Sequence, residues 1–375
     1  MKRTLAGLAL VVALAAVAHT QTAAPRFDVD PTWPKPLPNT WIVGEVSGIA
    51  VDAQDHVWVL QRARTVGVVA RGATPPPTPP TGVAAPAVIE LDASGNFLQA
   101  WGGPGTGYEW PANEHGLSVD NKNNLWVTGG GARDAHVLKF TSAGTFVLQI
   151  GHQGQVGNNA DTTTLDRPTD AVVDPAANEV YVTDGEVGGS HRRVIVFDAD
   201  SGAYKRLWGA YGAKPEDMPP APARGGAAPA APAAPIDPNA PPSRQFGTAT
   251  HCVRIAKDGL VYVCDRSNNR IQVFHKDGTF VKEAFVERTT AGLGAIWDLE
   301  LSPDQRFLYI ADGQNQKIWI LQRDSLQILG SFGGDGHAPG QIRGANAIAV
   351  DSKGNIYVAE AADGRRVQKF TFKGM

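Results

Sequence analysis

The chain has 375 residues, 34 basic and 37 acidic side chains and a formal charge of −3, and 42% of it is hydrophobic. Its apolar runs are too few for a membrane transporter, and its dispersed basic residues give no electrostatic footprint for nucleic acid. The length admits one large domain or two ordinary ones.

At the start, Lys2 and Arg3 precede an apolar stretch from Leu5 to Ala18, with small residues at Ala16 and Ala18. This is the layout of a secretory signal peptide over residues 1–20. The stretch is short for a membrane span. The expectation is an extracytoplasmic protein, periplasmic or secreted, with no membrane span after signal cleavage; an uncleaved anchor is the alternative.

Beyond it one hairpin recurs six times: VSGIAVDAQDHVWVL from Val46, EHGLSVDNKNNLWVT from Glu114, RPTDAVVDPAANEVYVT from Arg167, THCVRIAKDGLVYVC from Thr250, IWDLELSPDQRFLYIA from Ile296 and ANAIAVDSKGNIYVA from Ala345. Alternating apolar residues mark the strands, and Gly, Asp, Ser or Asn mark the turns. Two further strands follow each hairpin, as in HVLKFTSAGTFVLQIG from His136 and RIQVFHKDGTFVKEAF from Arg270. Four antiparallel strands recurring about every 40 to 50 residues are the signature of propeller blades. The fold class is therefore all-β, a six-bladed β-propeller of four-stranded antiparallel blades, forming a single domain over residues 27–375. The last unit has three strands only, so the other terminus must lend the fourth and remove an exposed edge. Either Phe27 to Asp30 or the stretch Trp41 to Glu45 fits that role.

Two Pro/Ala-rich inserts, residues 71–87 and 213–244, break the period. Their composition favours extended, solvated chain, and they read as loops of one domain. Strand alternation puts both inserts, the starts of the first strands and the ends of the second strands on one face.

The residue just ahead of each first strand is Ser47, His115, Thr169, His251, Trp297 or Asn346 in turn. Alternate blades bring His115, His251 and Asn346 together on the axis. Two imidazoles suit zinc or another borderline metal, although a zinc site normally has three protein ligands; an Asn amide oxygen suits harder cations. A polar, water-filled channel is the alternative. At the ends of the second strands, Arg62 and Arg266 are candidate substrate-binding anchors for a carboxylate, and Glu186 is a candidate base. For Arg266, with Arg270 beside it, structural ion pairs between strands compete with that role. In the hairpin carrying Lys257, Asp258 and Gly259, Cys252 faces Cys264 across the ladder. They form either a disulfide, favoured by an oxidising compartment, or two small buried thiols.

The D-x-x-x-N-x-V/I/L-Y/W-V hairpins, followed by N-x-R-I/V-x-x-F, resemble NHL repeats. Their order is similar to that of the peptidyl-α-hydroxyglycine α-amidating lyase family, zinc-bearing six-bladed propellers that cleave a carbinolamide to a peptide amide and glyoxylate. The resemblance implies zinc on His115 and His251, a catalytic role for Arg62 and substrate binding by Arg266. The chain departs from the family at Asn346, where a third zinc histidine is expected, and at Ala347, where an acidic residue associated with calcium is expected. It departs again at Glu186, which stands in place of a tyrosine. Two readings follow. One is a non-catalytic exported propeller that binds a small molecule, a peptide or a protein partner at the channel mouth. The other is a metal-dependent lyase.

Overall fold

A computed structural model describes residues 23–68, 82–217 and 237–375. The expected signal peptide and most of both inserts lie outside the described residues. Six four-stranded antiparallel sheets follow one another along the chain, beginning with Glu45–Val51, Glu114–Val119, Pro168–Asp174, Thr250–Ile255, Asp298–Leu301 and Ala345–Val350. Among the described residues no helix is long and apolar enough to cross a membrane.

The hairpin motif has a physical cause visible in three blades. In the first, the Asp52 carboxylate accepts the turn N–H groups of Gln54 and His56, both at 2.9 Å, and the indole N–H of Trp58 at 3.0 Å. Asp120 does the same for Lys122, Asn124 and Trp126, and Asp351 for Lys353, Asn355 and the Tyr357 hydroxyl. One buried carboxylate thus closes the turn and holds the aromatic ring of the returning strand, satisfying donors that would otherwise be costly to bury.

Phe27–Asp30 supplies the closing strand, pairing antiparallel with Arg366–Phe372 in the register Phe27 to Phe372 and Asp30 to Lys369. Trp41–Ile42 does something else: it pairs in parallel with Val83–Ala84, at the end of the first insert. Ala85 and Ala87 are also buried. The end of that insert therefore packs, where composition alone suggested solvated loop.

The apolar core is divided between neighbouring blades. Trp58 and Leu60 of blade one pack on Leu125, Val127 and Phe140 of blade two, and comparable clusters fill the spaces between the other blades. Burying a large apolar side chain in such a space contributes about 1.5–3 kcal/mol. The channel is what the six inner strands leave between them.

Candidate functional site

Five of the six inner strands begin with a local break in the ladder, the exception being Asp298–Leu301. Val46 pairs with Gln61 and Gly48 with Leu60, so Ser47 has no partner. The ladder likewise skips Thr169, His251 and Asn346, and jumps from Glu114 to Leu117 around His115. A bulge bends the strand and re-aims a side chain; here it places the ring residues at the axis.

Those residues bond around the ring in one repeated way. His115 places Nδ1 2.9 Å from the carbonyl of Thr169 in the next blade, and His251 places Nδ1 against the carbonyl of Trp297. Asn346 completes the pattern by donating its amide to the carbonyl of Ser47 at 2.6 Å. A carbonyl can only accept, so Nδ1 carries the proton in both histidines and Nε2 of the neutral ring is left with a lone pair.

Both Nε2 atoms face one oxygen of Glu186. Its Oε2 lies 3.3 Å from His115 Nε2 and 3.4 Å from His251 Nε2. The imidazole rings stand 4.7 Å apart at 70°. The other carboxylate oxygen, Oε1, accepts from Arg266 Nη2 at 2.7 Å, and that guanidinium lies 4.7 Å over the Trp297 ring. Burial pushes the Glu186 carboxyl up, but the Arg266 guanidinium beside it, with any proton the facing histidines carry, outweighs that and holds the group well below the ordinary carboxylate range. Burial, with the Arg266 guanidinium nearby, pushes His251 well below the usual histidine value. Glu186 Oε2 and His251 Nε2 are buried and have no hydrogen-bond partner. When both rings are neutral, three acceptor atoms converge there, an arrangement that a cation would satisfy. Below them the axial cavity measures about 20 Å³, room for about one water or ion.

Two glycines make the approach possible. Gly185, at φ +137°, turns the chain after the second strand of blade three, and a Cβ there would meet the His191 carbonyl at 1.9 Å. A Cβ on Gly130 would lie 2.8 Å from the His115 ring and 3.3 Å from Glu186 Cγ. Neither was singled out from sequence, where both look like ordinary turn residues.

The structure brings His115, His251, Glu186 and Arg266 together, and places Asn346 in the same ring. It gives Glu186 the position of third potential ligand, where the sequence had pointed to Asn346. Arg62 is engaged elsewhere: Nη1 pairs with Glu45 at 2.6 Å, and Nε donates to the Glu114 carbonyl at 2.9 Å. It braces the strand that carries His115. Asp184 and Asp265 serve buried networks with Arg193 and Arg270, and Glu360 pairs with Arg366. Cys252 and Cys264 are cross-strand partners joined as a disulfide, with Cα atoms 4.9 Å apart.

Comparison with known proteins matches the NHL repeat to residues 251–274. NHL repeat-containing protein 3 of Mus musculus is 26% identical over 370 residues, covering 92% of this chain and 84% of the relative. Peptidyl-glycine alpha-amidating monooxygenase A of Xenopus laevis is 27% identical over 254 residues, covering 64% of this chain but only 22% of that larger protein. Among solved structures, a streptogramin B lyase superposes with a TM-score of 0.51 at 14% identity, covering 93% of this chain and 98% of that one, a likeness of fold alone. The chain is a six-bladed β-propeller that carries an NHL repeat and is homologous to NHL repeat-containing protein 3 and to part of the amidating monooxygenases.

Proposed function

We propose that this protein binds a divalent metal at the head of its channel through His115, His251 and Glu186, and presents it to a small molecule or peptide at the mouth. The observation that carries the proposal is the convergence of two Nε2 atoms, in rings whose Nδ1 is bonded to a carbonyl, on one buried carboxylate oxygen. Two imidazoles and a carboxylate are a donor set suited to zinc with one position left open, and a metal so held would supply Lewis-acid chemistry. The chain's own residues do the rest. The Thr169 and Trp297 carbonyls fix the tautomers, as partners of ligating histidines generally do. Arg266 keeps Glu186 ionised and turned toward the histidines. A carboxylate with so little affinity for protons is a better ligand than base.

A lyase activity is the second reading, favoured by similarity to the amidating monooxygenases over 254 residues. It requires Arg62 or Arg266 to exchange a carboxylate of the protein for one of the substrate. Export accords with the disulfide, since such bonds persist in oxidising compartments.

Elemental analysis of the purified chain, followed by zinc titration against a chelator, tests the proposal. About one zinc per chain is expected, lost in the His115→Ala/His251→Ala protein. A folded wild-type chain that takes up no transition metal would overturn it. Release of glyoxylate from a peptidyl-α-hydroxyglycine then separates the two readings.

A further inference from the structure

The opposite end of the channel has its own chemistry. There the inner strands of all six blades surround a cavity of about 260 Å³, walled by Val51, Val119, Val172, Ile255 and Val350 and floored by Arg254 and Glu300. Arg254, held between the neighbouring third and fifth blades, lines both this cavity and the one at the histidine end. Its Nη1 pairs with Asp170 and with the Val253 carbonyl, its Nη2 with both oxygens of Asp298 at 3.0 and 3.1 Å, and its Nε with Glu300 Oε2 at 2.9 Å.

That network decides the sign of what can bind. Every nitrogen of the guanidinium already serves an oxygen, so Arg254 has no fork to offer an anion. Two carboxylates, Asp170 and Glu300, against one guanidinium leave an excess of negative charge even with Asp298 protonated. Asp170 and Asp298 are sealed behind the arginine with side chains 8% and 7% exposed, whereas Glu300 is 25% exposed toward the cavity. The walls supply aliphatic surface from successive blades around this one accessible carboxylate.

We propose that this mouth is a second binding site, independent of the histidine cluster, for a small amine with an apolar body. The ammonium pairs with Glu300, and the aliphatic part lies against the valine and isoleucine walls. Free amines and the amino terminus of a peptide share this chemistry.

The test is a calorimetric titration of the full chain with leucinamide, with leucyl-glycyl-glycinamide, and with 4-methylpentanamide, which has the same apolar body but no amine. Leucinamide should bind with a Kd of ~1 mM or tighter, and 4-methylpentanamide at least about tenfold more weakly, as expected for loss of a charge-assisted contact. Glu300→Gln should weaken leucinamide by about the same factor, while the zinc content of the chain stays unchanged. Binding of leucinamide alone assigns the site to free amines, and binding of both cationic probes extends it to peptide amino termini. Equal binding of the amine and its neutral analogue, or no binding of either cationic probe, overturns the proposal without touching the metal reading.

Discussion

Asn346 donates its side-chain amide to the carbonyl of Ser47 at 2.6 Å, the bond that His115 makes to Thr169 and His251 to Trp297. Asn346 therefore imitates the Nδ1 edge of a histidine without offering an Nε2. Asn346→His should install a third imidazole on the same carbonyl and strengthen zinc binding by at least about tenfold. Asn346→Ala should cost about 1–3 kcal/mol by stranding the Ser47 carbonyl, and leave zinc affinity within about threefold. Chelator competition and urea unfolding measure the two effects. Loss of zinc in Asn346→Ala would instead make Asn346 a ligand.

Glu186 joins both histidines on one side and Arg266 on the other. Glu186→Gln keeps a hydrogen-bond acceptor for Arg266 but removes the charge facing the histidines. Zinc affinity should fall by about 10–100-fold, while the urea midpoint falls less than in Glu186→Ala, because Arg266 loses its counter-charge but keeps an acceptor. Glu186→Ala also strands the buried guanidinium and should cost about 3–5 kcal/mol. The contrast between these two variants separates a ligand from a purely structural ion pair.

The architecture was legible because it is written in repeats: the alternating hairpin returns in all six blades, and spacing gives the strand order and the need for a closing strand, while leaving Phe27 to Asp30 and Trp41 to Glu45 both open for that role. The pairing of Cys252 with Cys264 was legible for a similar reason, since a tight turn fixes the register of its strands. What the repeat could not reveal was the role of Glu186. It lies in a loop after the second strand, and its position over the axis depends on the left-handed Gly185 and the missing side chain of Gly130. Arg62 was misleading in the opposite way. Its place in the strand suggested a free anchor, but Glu45, from the neighbouring strand of the same blade, occupies its guanidinium. Sequence periodicity gives the direction of a strand residue, whereas the partner of a long charged side chain depends on three-dimensional packing.

Closure rests on a short strand with an aromatic anchor. Phe27 packs on Phe332 and edge-on against Tyr309, with centroids 5.3 and 5.5 Å away. Phe27→Ala should destabilise the propeller by about 2–4 kcal/mol, read as a lower thermal midpoint. Val83→Ser, at a residue 56% exposed in the short parallel pair, should change stability by less than about 0.5 kcal/mol.

The disulfide spans 12 residues of sequence within one hairpin, so it restrains a short loop of the unfolded chain. Its loss in Cys252→Ala/Cys264→Ala should cost about 2–4 kcal/mol. Because the His251 ring is held independently by the Trp297 carbonyl, zinc stoichiometry should be unchanged in the folded variant. Differential scanning calorimetry and elemental analysis of the same preparation check both statements.

Asp298 gives the fold a pH dependence of definite sign. Burial pushes its carboxyl up to about 7, against the opposing pull of Arg254 and with the help of Asp170 and Glu300. The Ile348 N–H, from the adjoining blade, also faces it. A carboxyl raised in the folded state holds its proton more tightly there than in the unfolded chain. Its contribution to stability is therefore fully present below the unfolded value near 3.8 and is lost as pH rises through about 7. Between pH 5 and pH 8 the wild type should lose more stability than Asp298→Asn, which is neutral throughout, by on the order of 1–3 kcal/mol. Other buried carboxylates contribute slopes of both signs, among them Asp184, lowered with Arg193 beside it, and Glu360, raised by burial. Those slopes are common to both proteins and cancel in the difference. Urea midpoints of the two proteins at the two pH values measure it, and parallel slopes would show that Asp298 is ionised in the folded state throughout this range.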